Sequence, residues 1–203
     1  MNETSSEPRI GKVLRADTTG FVCGTPSQDF ALPSFGAFVQ TEPSDGQTIT
    51  VVGLIHAISI DDDPLVRQMV LSGTSNEALV NDQRVNRLVP VEISVLTVGY
   101  MADGAVFHTL PPRPPLSLDT VTLCSDDLVR RFTERLDFLR LVLSANDLPT
   151  EELLAAALKH ASDARPPSER RAFLIDAGRE IAALWGQDLA RLQHVLRLIR
   201  AAL

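Results

Sequence analysis

Aromatic side chains are scarce in this 203-residue chain, at 5% with one Trp and one Tyr. Any core must therefore be built mainly from aliphatic residues. Lysine is almost missing as well: Lys12 and Lys159 are the only two, and the other basic residues are arginines. The two cysteines, Cys23 and Cys124, lie far apart, which excludes both a CxxC metal pair and a disulfide framework. Both are expected as reduced thiols that act as small apolar residues. No apolar run approaches the roughly 18 residues needed to cross a bilayer, so no membrane span is expected. Residues 1–8 are polar and acidic without an apolar stretch; they do not form a signal peptide and are expected as a disordered tail. A cytoplasmic protein follows from these absences.

Catalytic motifs are missing too. Gly20-Phe-Val-Cys-Gly24-Thr25 places glycines near a strand, but without the lysine and hydroxyl of GxxxxGK[ST] it cannot cradle a triphosphate. There is no HExxH and no GxSxG, so neither a zincin helix nor a nucleophile elbow is expected. His56, His108, His160 and His194 share no ligand spacing and read as packing or surface residues. The densest carboxylate cluster, Asp61-Asp62-Asp63, could meet a hard cation, but it reads better as a solvated turn because nothing supplies further ligands. The chain is expected not to be an enzyme, and no cofactor is expected.

What the chain does have is a change of texture at Pro111-Pro112-Arg113-Pro114-Pro115. Val, Thr, Ile, Phe and Gly dominate before it. Strands are expected at 10–15, 21–25, 37–41 and 48–60, the last with Gly53 in its middle, where a bulge or barrel corner belongs. Pro43-Ser-Asp-Gly46 reads as a turn. Residues 65–87 read as a helical insertion, with the helix itself near 76–86. A strand at 89–100 then turns at Ala102-Asp-Gly104 and pairs back over 105–109 as a hairpin. Short strands with turns between them suit a small closed barrel. Residues 9–110 are assigned to it, and 111–123 to a proline-rich connector with a last short strand at 121–123.

Residues 124–203 read as a helical bundle, which makes the fold class α+β. Ser125 caps a first helix, with Asp126 and Asp127 in its first turn; Leu128, Phe132, Leu136, Leu139 and Leu143 form one stripe at helical spacing. Pro149-Thr-Glu-Glu152 opens a second helix. Pro166-Pro-Ser-Glu169 opens a third, with Phe173, Ala177, Ile181 and Leu184 inward and Gly186 at its end. Leu189, Leu192, Leu196, Ile199 and Leu203 repeat as a heptad seam, expected to pack within the bundle because it is too short for a free coiled coil. Trp185 reads as core.

Charge divides along the same line. Residues 1–127 carry 7 basic and 16 acidic side chains, −9, whereas 128–203 carry 12 and 10, +2. An acidic barrel repels a phosphate backbone, so nucleic-acid binding through it is disfavoured. Arg130, Arg131 and Arg135 are the fallback for such binding. The two PxxP patterns around Arg113 can form polyproline II and dock on aromatic grooves, or act as a stiff linker. Candidate partner contacts are therefore Pro112, Arg113, Pro115, Arg130 and Arg131.

Ile10-Gly11-Lys12-Val13, Phe21-Val22, Phe35-Gly36-Ala37-Phe38-Val39, Val51-Val52-Gly53-Leu54-Ile55 with its acidic turn, and Leu110-Pro111-Pro112-Arg113-Pro114 together resemble a HAS barrel. This is the small β-barrel shared by HerA-type DNA-translocating ATPases and ATP synthase catalytic subunits. The resemblance spans about residues 8–123. With Phe132-Thr-Glu-Arg-Leu-Asp-Phe-Leu139 after it, the whole chain looks like bacterial, notably cyanobacterial, HAS-barrel proteins. In the ATPases a P-loop domain follows the barrel; here helices follow, so no catalytic residue carries over. The resemblance implies an assembly element that builds ring collars and contacts partners. The expected function is a non-catalytic assembly or adaptor protein engaging a ring-forming or DNA-processing partner, such as a ring ATPase, or copies of itself. The alternatives are a nucleic-acid-associated module using the arginines of the helical half, and an enzyme with an unrecognised site.

Overall fold

The computed structural model describes residues 8–25, 33–42, 48–61, 64–73, 77–78, 90–186 and 189–201. Seven strands form one antiparallel sheet: β1 (Arg9–Ala16), β2 (Gly20–Thr25), β3 (Phe38–Glu42), β4 (Thr50–Ser59), β5 (Val91–Ala102), β6 (Ala105–Phe107) and β7 (Thr120–Leu123). Their order is β2-β1-β7-β3-β4-β5, and β2 pairs back onto β5 over Gly20–Thr25, so six strands close a barrel. Closure leaves no free edge among those six. β6 hangs on β5 as the outer arm of a hairpin.

The local chemistry explains the corners. Asp17 accepts from the Thr19 amide, the Thr19 hydroxyl and the Gly20 amide, closing the β1–β2 turn. These bonds hold its carboxyl below the usual range, the Thr19 hydroxyl contributing most. Asp103 and Gly104 both take positive φ, at 49° and 77°, as the two-residue turn of a tight hairpin requires. The β4–β5 register shifts between Val52 and Gly53 and again between Ile55 and Ala57, so the corner expected at Gly53 is there. A Cβ at Gly53 would lie 2.3 Å from Val95 Cγ1 and 2.8 Å from the Leu96 carbonyl oxygen.

Inside the barrel, Ile10, Val13, Phe21, Cys23, Val39, Val51, Ile55, Ile93, Val95 and Val121 make an aliphatic core. Burial pushes the Cys23 thiol up to about 12, so it is an inert apolar filler. Residues 51–55 of β4 are all buried rather than alternating, the mark of a strand covered on both faces. Its outward side chains Val52 and Leu54, with Phe38 and Val98, belong to a second core under the helices.

Six helices are described. α1 (Pro64–Ser72) has no buried residue. The other five, α2 (Asp126–Phe132), α3 (Leu139–Ser144), α4 (Thr150–Asp163), α5 (Pro167–Trp185) and α6 (Leu189–Ala201), follow the barrel. Ser125 caps α2 by accepting from the Leu128 amide. α4 is the central helix, with Leu153, Leu154, Ala157, Leu158 and Ala161 fully buried. On α5, Leu174, Ala177 and Ile181 are the buried residues, while Phe173 and Leu184 pack partly buried around them. Gly186 ends that helix. On α6 the inward face centres on buried Val195 and Ile199, with Leu192 and Leu198 partly buried beside them; of the expected seam Ile199 is thus buried, Leu192 and Leu196 are only half-buried, and Val195, which the seam left out, is at the centre.

One expected helix is two. The stripe from Leu128 to Leu143 does not lie on a continuous helix: α2 stops at Phe132 and α3 begins at Leu139. The cause is the pair Phe132 and Phe138. Both are buried in one aromatic cluster with Phe38, at centroid distances of 5.8–6.1 Å. Six residues on a straight helix would place them on widely different faces. The Thr133 hydroxyl donates back to the Val129 carbonyl, and buried Arg165 donates to the Thr133 carbonyl and hydroxyl, which fixes the break.

β7 comes after the proline segment, yet it pairs with both β1 and β3 in mid-sheet. The barrel therefore takes its last strand from beyond residues 111–115, and the second core joins barrel and helices without interruption. The turn expected at 43–46, most of the helix expected near 76–86, Asp62, Asp63 and Leu203 lie outside the described residues, as does the side chain of Leu189.

Candidate functional site

Two surfaces gather the residues singled out by sequence. The first is the segment from Leu110 to Asp119. Pro111 and Pro115 are buried anchors, and Pro112, Arg113 and Pro114 stand exposed between them. Beyond them the chain is tied down: the Leu116 amide donates to buried Asp119, the Leu118 amide donates to the Val13 carbonyl, and the Val13 amide donates to the Asp119 carbonyl. Lys12 Nζ donates to the Leu118 carbonyl at 3.2 Å. Leu118 is held at φ 73° while 65% exposed, and Leu110 and Leu116 are exposed at 41% and 48%.

The second is a hollow of about 420 Å³ between the β5–β6 hairpin and the α2–α3 turn. Val106, Phe107 and His108 line it from the hairpin side; Arg131, Glu134, Arg135, Asp137 and Arg140 line it from the helical side. Arg135 pairs with Asp137 at 2.6 Å. Arg131 and Arg140 have no ion pair among the described residues. Phe107 stacks on Tyr100 at 4.8 Å and 11°.

Arg130, next to Arg131 in sequence, is turned to another task. It pairs with Asp127 and donates to the Ala164 carbonyl, tying α2 to the end of α4. Pro112, Arg113 and Pro115 do not line the hollow. Arg140, His108 and Phe107 do, and sequence reasoning did not select them. On a continuous helix Arg131 and Arg135, four apart, would share a face and Arg140 would sit half a turn from Arg131, but Arg135 lies beyond the end of α2 and Arg140 on α3. Only the break after Phe132 brings it round. Among the described residues no group of three His, Cys, Asp or Glu side chains could hold a metal ion.

His108 is nearly buried. Its Nε2 lies 2.9 Å from the Phe132 carbonyl, which can only accept, so Nε2 carries the proton. Nδ1 is left as an acceptor 3.9 Å from Asp137. Burial holds the imidazole below its ordinary 6.5, outweighing Asp137, which favours the charged form. Burial lowers His56 and His160 as well, the latter bonded to the Phe35 carbonyl at 3.3 Å. A histidine depressed in the folded state binds fewer protons there than in the unfolded chain, so stability rises with pH and levels off above the unfolded value. The denaturation midpoint is therefore expected to fall between about pH 7.5 and about pH 5.5, above the carboxylate range. His108→Gln, which keeps a donor for Phe132 but does not titrate, should shrink that fall. A midpoint equal at both pH values would contradict the assignment of neutral buried imidazoles.

No helix among the described residues is long and apolar enough to cross a membrane. No family model matches this chain, and no curated protein matches it.

Proposed function

We propose that the protein is a non-catalytic assembly or adaptor protein that engages a protein partner through the exposed turn from Leu110 to Leu118. Leu118 carries this reading. The left-handed region costs a leucine roughly 1–2 kcal/mol, and here the strained side chain is presented to solvent rather than buried. Most of that side chain lies outside the packed core, and an apolar group held on a fixed backbone in the same exposed segment as Leu110, Leu116 and Pro112–Pro114 suits a protein contact. The rigid mount matters because ordering entropy is then already spent before binding. The resemblance of 8–123 to HAS barrels supports a ring-forming ATPase as the partner class, with exposed Pro112 and Arg113 at the contact and buried Pro115 anchoring the turn.

Leu118→Gly tests this directly. It removes the Cβ strain but adds unfolded-state entropy, so stability should change by no more than about 1 kcal/mol. Paired with Leu116→Ser, it should abolish capture of a specific partner from the native cell, quantified by mass spectrometry against the unmodified protein. The captured protein should carry a P-loop. Equal recovery by both forms, with the double variant folded, would refute the reading.

A further inference from the structure

The hollow between β6 and the α2–α3 turn carries features that the partner surface does not explain. Three guanidiniums line it, and two of them, Arg131 and Arg140, lack an ion pair among the described residues. Glu134 and Asp137 also line it, so three positive and two negative side chains face the hollow. Asp137 is held by Arg135. Positive charge is thus left over in the hollow. Guanidinium forks match phosphate and carboxylate oxygens with paired donors.

A second observation points the same way. Phe107 is 40% exposed although it is a large apolar ring at a charged rim. Tyr100 backs one of its faces in a parallel stack, so the ring is a rigid platform. Aromatic platforms beside arginines suit flat rings that carry a negative group, because every base has a π-face that can stack on such a ring. His108, with its proton committed to the Phe132 carbonyl, adds an acceptor nitrogen for a ligand hydroxyl or amine. The volume of about 420 Å³ lies within the common range for small-molecule sites, roughly 300–1,000 Å³.

We propose that this hollow binds a small phosphate monoester carrying a flat ring, with a nucleoside monophosphate as its simplest form. Arg131 and Arg140 take the phosphate, and Phe107 takes the ring. A long polyanion fits less well. Residues 1–127 carry −9 in sequence and repel an extended phosphate chain over a distance, whereas a compact anion needs only the net positive lining of the hollow.

Calorimetric titration of the full-length protein at low salt tests the site. The probes are the four nucleoside 5′-monophosphates, the matching nucleosides, ribose 5-phosphate, inorganic phosphate and a single-stranded oligonucleotide. At least one nucleoside monophosphate should bind, about tenfold or more tighter than its nucleoside, ribose 5-phosphate or free phosphate. Arg131→Gln with Arg140→Gln, and separately Phe107→Ala, should each weaken it about tenfold or more while the thermal midpoint stays within a few degrees. No binding at millimolar ligand would overturn the proposal, as would variants that bind like the parent. Free phosphate binding as tightly as the nucleotide would remove the role of Phe107. An oligonucleotide binding far tighter through the same residues would assign the hollow to a polynucleotide instead.

Discussion

A chain cut after Ser117 should not fold as a barrel, and its complement starting at Leu118 should not fold as a helical bundle. The cut removes β7, which lies between β1 and β3 and bonds to both. Without it the barrel is open, and two strands expose backbone donors and acceptors that need partners. The helices leave with it. Phe38, Val52, Leu54 and Val98, now buried beneath them, would face water. At about 1.5–3 kcal/mol each, these four side chains account for about 6–12 kcal/mol, comparable with the whole stability of a typical domain. Circular dichroism of each piece should show a largely unfolded chain, and mixing the two should restore β and helical signal together. A 1–117 fragment with a cooperative thermal transition of its own would show that the barrel does not need its seventh strand or the helical layer.

Gly36→Ala should be among the most destabilising single changes in the molecule. Gly36 sits at φ 81° in the corner before β3, fixed to β4 by the hydrogen bond its amide donates to the Ile55 carbonyl. A Cβ there would lie 2.4 Å from Ala156 Cβ, 2.8 Å from the Ala156 carbonyl carbon and 2.9 Å from the Ala157 nitrogen. Two of those atoms are backbone of the central helix and cannot step aside. The bond from His160 to the Phe35 carbonyl would be strained by the same shift. Left-handed strain and overpacking together amount to about 2–5 kcal/mol. Gly104→Ala separates the two causes. Gly104 has a similar φ of 77°, but a Cβ there meets only Arg131 Nη2 at 3.8 Å, so it should lose only the strain, about 1–2 kcal/mol. Chemical denaturation of both variants compares them directly. Equal losses would mean that the barrel corner does not bear on α4 as tightly as described.

The strands were legible because their signals are local. Ile10–Arg15, Phe21–Thr25 and Ala37–Thr41 fall within one or two residues of β1, β2 and β3, and Gly53 marks the register shift expected of it. Helix openings at Ser125, Pro149 and Pro166 were equally readable, since caps and prolines act within one turn. The end of α2 was not. Leu128, Phe132, Leu136, Leu139 and Leu143 satisfy a helical period on paper, and nothing in that stretch is a strong breaker. What broke the helix was burial of Phe132 and Phe138 against Phe38, nearly a hundred residues earlier, with Arg165 capturing the freed Thr133 carbonyl. The candidate sites divide in the same way. Exposure of Pro112 and Arg113 follows from their composition, whereas nothing local marks Arg130 as a strut or Arg140 as a neighbour of Arg131.

By itself, then, the sequence determined the order of β before α, the number and position of most elements, the aliphatic character of the cores and the acidic balance of the first 127 residues. Each of these is set by spacing, turn chemistry or composition, which act over a few residues or simply add. The tertiary structure decided that β7 closes the barrel from beyond the prolines, that barrel and helices share a core, and that Arg131, Arg135 and Arg140 meet beside Phe107. Those outcomes depend on which distant faces bury together, and a hydrophobic pattern states that a face must be covered without naming what covers it.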